Sequence, residues 1–302
     1  MMTLTQLASG FEKLLSRLPG PIRKPVEQEW RPIHELFLRR RAPRLLVIGG
    51  PATTVEPWVR ALFQMDQGKM EFGAGLWRIY HHRGILEFAM VETAAAADKA
   101  IASAKPDLFL YVGEKAPVQL PRLHPHLSVV FGETTRESLL AAIAQELPLD
   151  ALLEFARVSG EKSAQREIAA MLTRSATAVC TAIGAQPIPL ADFPILTSLQ
   201  VLMVSGIVHT TGREWNARLA RDFLAALGAN FGVGLLLREG ARVAWKLLPG
   251  WGNAISGAVA GAGTYAIGRA ASAYFIEGLP MEEARRRFQF FKKQKHPPKL
   301  RE

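Results

Sequence analysis

The chain has 302 residues, 49% of them apolar and only 21% charged, and a formal net charge of +10. That length allows one large domain or two ordinary ones, and the composition is apolar-rich for a soluble protein. A single cysteine, Cys180, excludes an internal disulfide framework and fits a reducing compartment.

At the start, MMTLTQLASGFEKLL lacks a basic segment before a long apolar core, so no secretory signal is read and cytoplasmic exposure is expected. Residues 3–18 carry Leu4, Leu7, Phe11, Leu14, Leu15 and Leu18 at helical spacing. LPGPIRKP is read as the break, with a second helix from about Val26 to Arg40 carrying Trp30, Ile33, Leu36 and Phe37. Both helices are expected to pack on the domain that follows. Basic residues gather at Arg39–Arg44 (RRRAPR) and from Arg285 to Arg301, either as solvated faces or as patches for an anionic membrane surface. No RRM, zinc-finger or helix-turn-helix signature is present, so nucleic acid is not expected as a partner.

From Pro43 to about Pro148 the pattern is α/β. Strands are expected at Leu45–Ile48, Leu76–His81, Ile85–Val91, Leu108–Val112 and Leu127–Phe131, and helices at Glu56–Gln64, Ala94–Ala104 and Thr135–Leu147. Continuous apolar runs in three strands imply cover on both faces. WRIYHH and ILEFAMV form an antiparallel pair around a turn at Arg83–Gly84, which predicts a mostly parallel sheet with one antiparallel edge and helices on both faces.

LLVIGGPATTVEPWVRALF is a buried strand, a Gly-containing turn and a helix start, where a nucleotide-binding domain carries its phosphate loop, G-x-x-x-x-G-K-[ST]. With Gly49 as the first glycine, Thr54 stands at the second glycine, Val55 at the lysine and Glu56 at the Ser/Thr. Thr54 adds a Cβ where backbone must approach phosphate. Val55 removes the ammonium. Glu56 removes the Mg²⁺-binding hydroxyl and adds negative charge at a helix N-terminus. The scaffold is present without the chemistry.

From about Leu149 the chain turns helical, first with the charged faces of ALLEFARV and AQREIAAMLTRS. Uncharged stretches follow at Ser175–Ala191, Phe193–Gly212, Phe223–Leu237 and Leu247–Gly268. Gly257 and Gly261, with Ala258 and Ala262, give small-xxx-small spacing for close helix contact. Pro187, Pro189 and Pro194, and the polar Asn253, Ser256, Thr264 and Tyr265, argue against simple transmembrane helices. Two readings stand: membrane association by insertion or peripheral docking, or a tightly packed helical bundle.

Three segments carry a resemblance: AIGAQPIPLADFPILTSLQVLMVSGI, FLAALGANFGVGLLLREGAR and KLLPGWGNAISGAVAGAGTYAIGRAASAYFIEG. With the lead-in LPGPIRKPVEQEWRPIHELFLRRRAPRLLVIG, the chain resembles the bacterial proteins that join an Era-like GTPase domain to a YcjF-like C-terminal domain of unknown function. The resemblance implies N-terminal helices at 1–42, a degenerate P-loop-GTPase-like α/β domain at 43–148, a YcjF-like all-α domain rich in Gly and Ala at 149–290 and a basic tail at 291–302. The GTPase motifs depart from the family pattern. Glu92-Thr93-Ala94-Ala95 stands where Asp-x-x-Gly is expected, and Gly113-Glu114-Lys115-Ala116 lacks the amide and carboxylate of Asn-Lys-x-Asp. No nucleotide-binding, catalytic or metal residue is therefore carried over.

Elsewhere, His81-His82 and His124/His126 are the only histidines close in sequence, and neither pair makes a metal site. Thr134 or Thr135 is expected to cap the helix that follows Glu133. Trp245, Trp251, Tyr265, Tyr274 and Phe275 flank the Gly/Ala helix as interfacial or core aromatics. The expectation is a non-catalytic pseudo-GTPase scaffold at the cytoplasmic face of the inner membrane. It has no cofactor, no small-molecule substrate, and a protein partner or a second copy to bind. Two alternatives remain: a divergent nucleotide hydrolase with Arg44, Lys69 or Arg78 replacing the lysine, and a soluble helical interaction module.

Overall fold

The computed structural model describes residues 4–16, 18, 20–49, 52–92, 97–112, 126–129, 135–185, 192–214, 217–228 and 252–286. The chain divides into two compact units. One comprises residues 39–168 with 210–213, and the other residues 1–38, 169–209 and 214–302.

The first unit is a mixed α/β sheet with flanking helices. Its six strands are β1 (Arg44–Ile48), β2 (Lys69–Gly73), β3 (Leu76–His81), β4 (Gly84–Val91), β5 (Leu108–Val112) and β6 (His126–Val129), in the order β2-β3-β4-β1-β5-β6. β4, β1, β5 and β6 run parallel, and β3 and β2 extend the sheet as an antiparallel hairpin. The expected strands are found. Phe131, expected to end β6, lies outside the described residues. β2 is an addition that the sequence reading did not contain. The hairpin turn falls at His82–Arg83, one residue earlier than expected, because His81 pairs with Gly84.

Burial follows the pleat. Leu46, Ile48, Ala89, Phe109 and Tyr111 share one face with Ala97 and Ala104 of α4 (Ala97–Ala104), while Leu45, Val47, Phe88, Leu108 and Leu110 on the opposite face are equally buried. α3 (Ala52–Phe63), α5 (Arg136–Glu146) and α6 (Leu149–Ser159) complete the unit. Thr135 caps α5 as expected, its hydroxyl accepting from the Ser138 N–H.

Phe155 on α6 is fully buried and meets Phe63 of α3 edge-to-face at 5.9 Å. Burying such a ring contributes roughly 1.5–3 kcal/mol. The boundary expected at residue 148 thus does not coincide with the edge of this unit. The charged face of α6 suggested a new domain, but its apolar face completes the sheet's own core.

The second unit is all helical. α1 (Leu4–Leu15) and α2 (Gly20–Leu38) belong to it and not to the α/β unit. Phe11 packs on Trp30 with centroids 4.7 Å apart, and the Trp30 indole N–H donates to Glu12 Oε1 at 3.2 Å. α2 starts six residues before the expected Val26 and carries Pro25 and Pro32 inside it. Packing of Val26, Trp30, Ile33 and Phe37, all buried, outweighs two missing backbone donors. The Phe37 ring lies over Gly206 of α8 (Asp192–Thr210), where a Cβ would overlap it.

The remaining described helices are α7 (Lys162–Gly184), whose residues from Ala169 on belong here, α9 (Ala217–Gly228) and α10 (Gly252–Phe275). The expected close helix contact is present, carried by the glycines. Gly257 and Gly261 of α10 sit against Thr181 and Ala185, and Gly268 against Thr173. Along α7 and the residue that follows it these belong to a row spaced by four: Thr173, Thr177, Thr181 and Ala185. Thr173 and Thr181 donate to the carbonyls of Ala169 and Thr177, so these hydroxyls are satisfied within their own helix. The paired alanine row is not buried in this contact: Ala258 is exposed and Ala262 only half-buried. Cys180 is buried here, its thiol pushed up to about 12 by desolvation against a smaller lowering effect of Thr264. Ten consecutive residues of α8, Val201 to Thr210, are buried. Among the described residues no helix is long and apolar enough to cross a membrane.

Candidate functional site

In an open parallel sheet, ligands bind beyond the carboxyl ends of the strands, where successive connections diverge to either side. Here that place lies beyond Ile48, since β1 sits between β4 and β5. Three residues separate β1 from α3. Gly49 takes φ +125°, donates its N–H to the Val91 carbonyl at 3.1 Å, and lies so close to β5 that a Cβ would overlap the Val112 carbonyl oxygen. The glycine therefore lies tightly between the ends of β4 and β5.

Of the three positions that differ from the phosphate-loop pattern, two are committed to the fold. Thr54 is exposed on the first turn of α3. Val55, at the lysine position, is 2% exposed and part of the core. Glu56, at the Ser/Thr position, pairs with Arg60 one turn along the helix. Arg60 in turn donates to the carbonyls of Gly68 at 2.9 Å and Met65 at 3.3 Å, so Glu56 helps to hold the end of α3. Glu92 follows β4 and is exposed, while Thr93–Ala95 and Gly113–Ala116 lie outside the described residues.

The cations nominated as replacements for the lysine are engaged elsewhere. Arg44 opens β1 at the opposite end from Gly49, about 16 Å away at strand rise. It donates to Glu87 at 2.8 Å, and Arg78 donates to the other oxygen of Glu87 at 2.6 Å. Lys69 lies on the edge strand, three strand spacings or about 14 Å from β1, and pairs with Glu71 at 2.7 Å.

Charge is concentrated at the amino ends of the parallel strands. Arg41 holds Asp107 in a bidentate pair at 2.7 and 2.6 Å and Asp150 at 2.8 Å. The hydrogen bond that Arg41 donates to Asp107 chiefly raises the Arg41 pKa, against the lowering effect of burial. Arg40 reaches Glu154 at 3.4 Å. Glu87 is 7% exposed; burial alone would raise its pKa, but Arg78 and Arg44 together hold it below the usual carboxylate value. Three arginines of RRRAPR, namely Arg40, Arg41 and Arg44, are thus ion-paired within their own unit, which departs from the reading of that run as a patch for an anionic surface. Sequence reasoning missed this network. Its signal was Asp107 standing immediately before a buried strand, as RRRAPR stands before another.

At the hairpin turn the His81 and His82 rings lie 3.9 Å apart. Burial, then the charges of His82 and Arg83, lower the His81 pKa, and its Nδ1 accepts from the Arg83 backbone N–H at 3.3 Å. Arg83 also donates to the Phe63 carbonyl at 2.7 Å and Arg136 to the Leu62 carbonyl at 2.8 Å, so both guanidinium groups sit on the C-terminus of α3. His124 lies outside the described residues. Among the described residues no group of three or more His, Cys, Asp or Glu is placed to hold a metal ion. No protein-family model matches the chain, and neither does any curated protein or solved structure.

Proposed function

We propose that the chain is a non-catalytic scaffold in which a degenerate GTPase-like α/β unit is joined to a YcjF-like helical unit, with a protein partner at the cytoplasmic face of the inner membrane. The observation that carries this reading is the β1–α3 connection. Its three residues leave no length for a phosphate cradle, Val55 occupies the core at the lysine position, and Glu56 is held by Arg60. The order β3-β4-β1-β5-β6, with its antiparallel hairpin, supports descent from a nucleotide-binding scaffold. The ion pairs of Arg44, Lys69 and Arg78 argue against a divergent hydrolase that uses them.

Isothermal titration of the purified chain with GTP, GDP and ATP in Mg²⁺ is the test of the nucleotide half. Absence of binding up to millimolar ligand is expected, and micromolar affinity would overturn the proposal. For the membrane half, the pellet of fractionated cells is washed with alkaline carbonate and then detergent. Recovery of the chain wholly in the soluble fraction would refute membrane association. One observation favours the second reading, a soluble helical interaction module: the run Val201–Thr210 of α8 is buried within the chain.

A further inference from the structure

β2 closes one side of the sheet and has β3 as its one strand neighbour among the described residues. An edge strand presents a row of unpaired N–H and C=O groups, and charged side chains commonly guard it against association. The charges here, Lys69 and Glu71, alternate in sign on one face of the strand, and both are exposed. On the other face Phe72 is 63% exposed, its ring tilted against Trp77 of β3 with centroids 4.8 Å apart, and Met70 is half-buried beside it. An exposed Phe on a strand edge, against a Trp that is itself half-buried, is an incomplete apolar face.

We propose that β2 is the edge through which two copies of this chain pair, antiparallel, about a two-fold axis at Met70. Continuity of the two faces allows only registers in which residues of the same face oppose one another. An axis at Glu71 would set two glutamates opposite each other, and an axis at Phe72 would leave Lys69 without an acidic partner. An axis at Met70 sets Lys69 opposite Glu71 of the second copy, and Glu71 opposite its Lys69. It places the two Met70 side chains together, each diagonal to Phe72 of the other copy, and puts Gly68 opposite Phe72, where the ring needs space. The existing Lys69–Glu71 pair within the strand is solvent-exposed and gives up little on exchanging partners. A five-residue strand offers less than the about 1,200 Å² of a standard interface, so the dimer is weak and concentration-dependent. The surface is separate from the strand ends treated above, and its test is independent of nucleotide binding.

The test is sedimentation velocity of the full chain over a concentration series, in detergent if the chain fractionates with membranes. Wild type is expected to move from one to two chain masses as concentration rises. Lys69→Glu or Glu71→Lys alone, each an exposed change checked for folding by circular dichroism, is expected to weaken association about tenfold or more, because two attractive pairs become repulsive. An equimolar mixture of the two variants is expected to restore the dimer, since both carboxylates of the Lys69→Glu chain then face the two ammonium groups of the Glu71→Lys chain. Met70→Cys is expected to give a disulfide-linked dimer under mild oxidation, with buried Cys180 as the unreactive background. A wild type that stays monomeric, single variants that dimerise unchanged, or a mixture that fails to recover would each overturn the proposal.

Discussion

Glu87 is the side chain through which the sheet is most directly tested. It stands in register with Arg44 on β1 and Arg78 on β3, so a single carboxylate bridges three adjacent strands. Substituting Glu87→Gln keeps the shape and removes the charge. The carboxylate side chain is 10% exposed, and the two guanidiniums are 33% and 36% exposed, which lets water partly replace the lost partner. Breaking a fully buried pair costs about 3–5 kcal/mol, and exposed pairs about 0–1, so about 2 kcal/mol is expected. At about 3–4 °C per kcal/mol for a unit of this size, the unfolding midpoint at pH 7 falls by about 6–8 °C. The pH dependence carries the sharper test. The folded pKa of Glu87 lies below its ordinary value of 4.5, so its contribution is fully present above that value and is lost as pH falls through the folded one. Urea unfolding of both proteins from pH 7 to pH 3 should therefore show the gap narrowing only at the acid end. A gap below about 0.5 kcal/mol at pH 7, or one that persists unchanged to pH 3, would refute the assignment.

Three further outcomes are expected. Gly268→Ala places a methyl against Thr173 and should destabilise the helical unit by about 1–3 kcal/mol, with Thr173→Ala recovering part of the loss in thermal melts. Val55→Lys, offered as a repair of the phosphate loop, should instead bury an unpaired ammonium, lower stability by several kcal/mol and leave GTP titrations flat. Cys180, with its thiol pushed up to about 12 from an ordinary 9.0, should react with iodoacetamide at pH 8 about a thousandfold more slowly in the native protein than in urea.

Much of the α/β unit was legible because its signals are local. Leu45–Ile48 and Leu108–Val112 read as buried parallel strands from uninterrupted apolar runs, and Thr135 announced its helix by capping chemistry. β2 was not legible: Lys69–Gly73 alternates for only four residues and ends in glycine, too short a period to separate from a loop. The placement of α1 and α2 was not legible either, since an amphipathic stripe states that a face is buried and not against what. Phe37 found Gly206 more than 160 residues away, a contact that no window on the sequence contains. The charge network at Arg41 failed for the opposite reason. Its residues were visible, but a run of arginines looks the same whether it faces solvent or four carboxylates.

Two of the residues that differ from the phosphate-loop pattern, Val55 and Glu56, serve the packing of one helix. A lysine at position 55 would have to keep its ammonium in water or on a phosphate, which holds the start of the helix out at the rim. Valine has no such requirement, and at 2% exposure it draws the first turn of α3 into the core. The helix then begins at Ala52, close behind a glycine pressed on the Val112 carbonyl. Glu56 takes Arg60 and through it ties the far end of the same helix. Among the described residues, Arg41, Asp107 and Asp150 are held together at the amino ends of β1 and β5, while beyond the carboxyl end of β1 the Gly49 N–H donates to the Val91 carbonyl. At the other side of the sheet, β2 pairs with no further strand among the described residues.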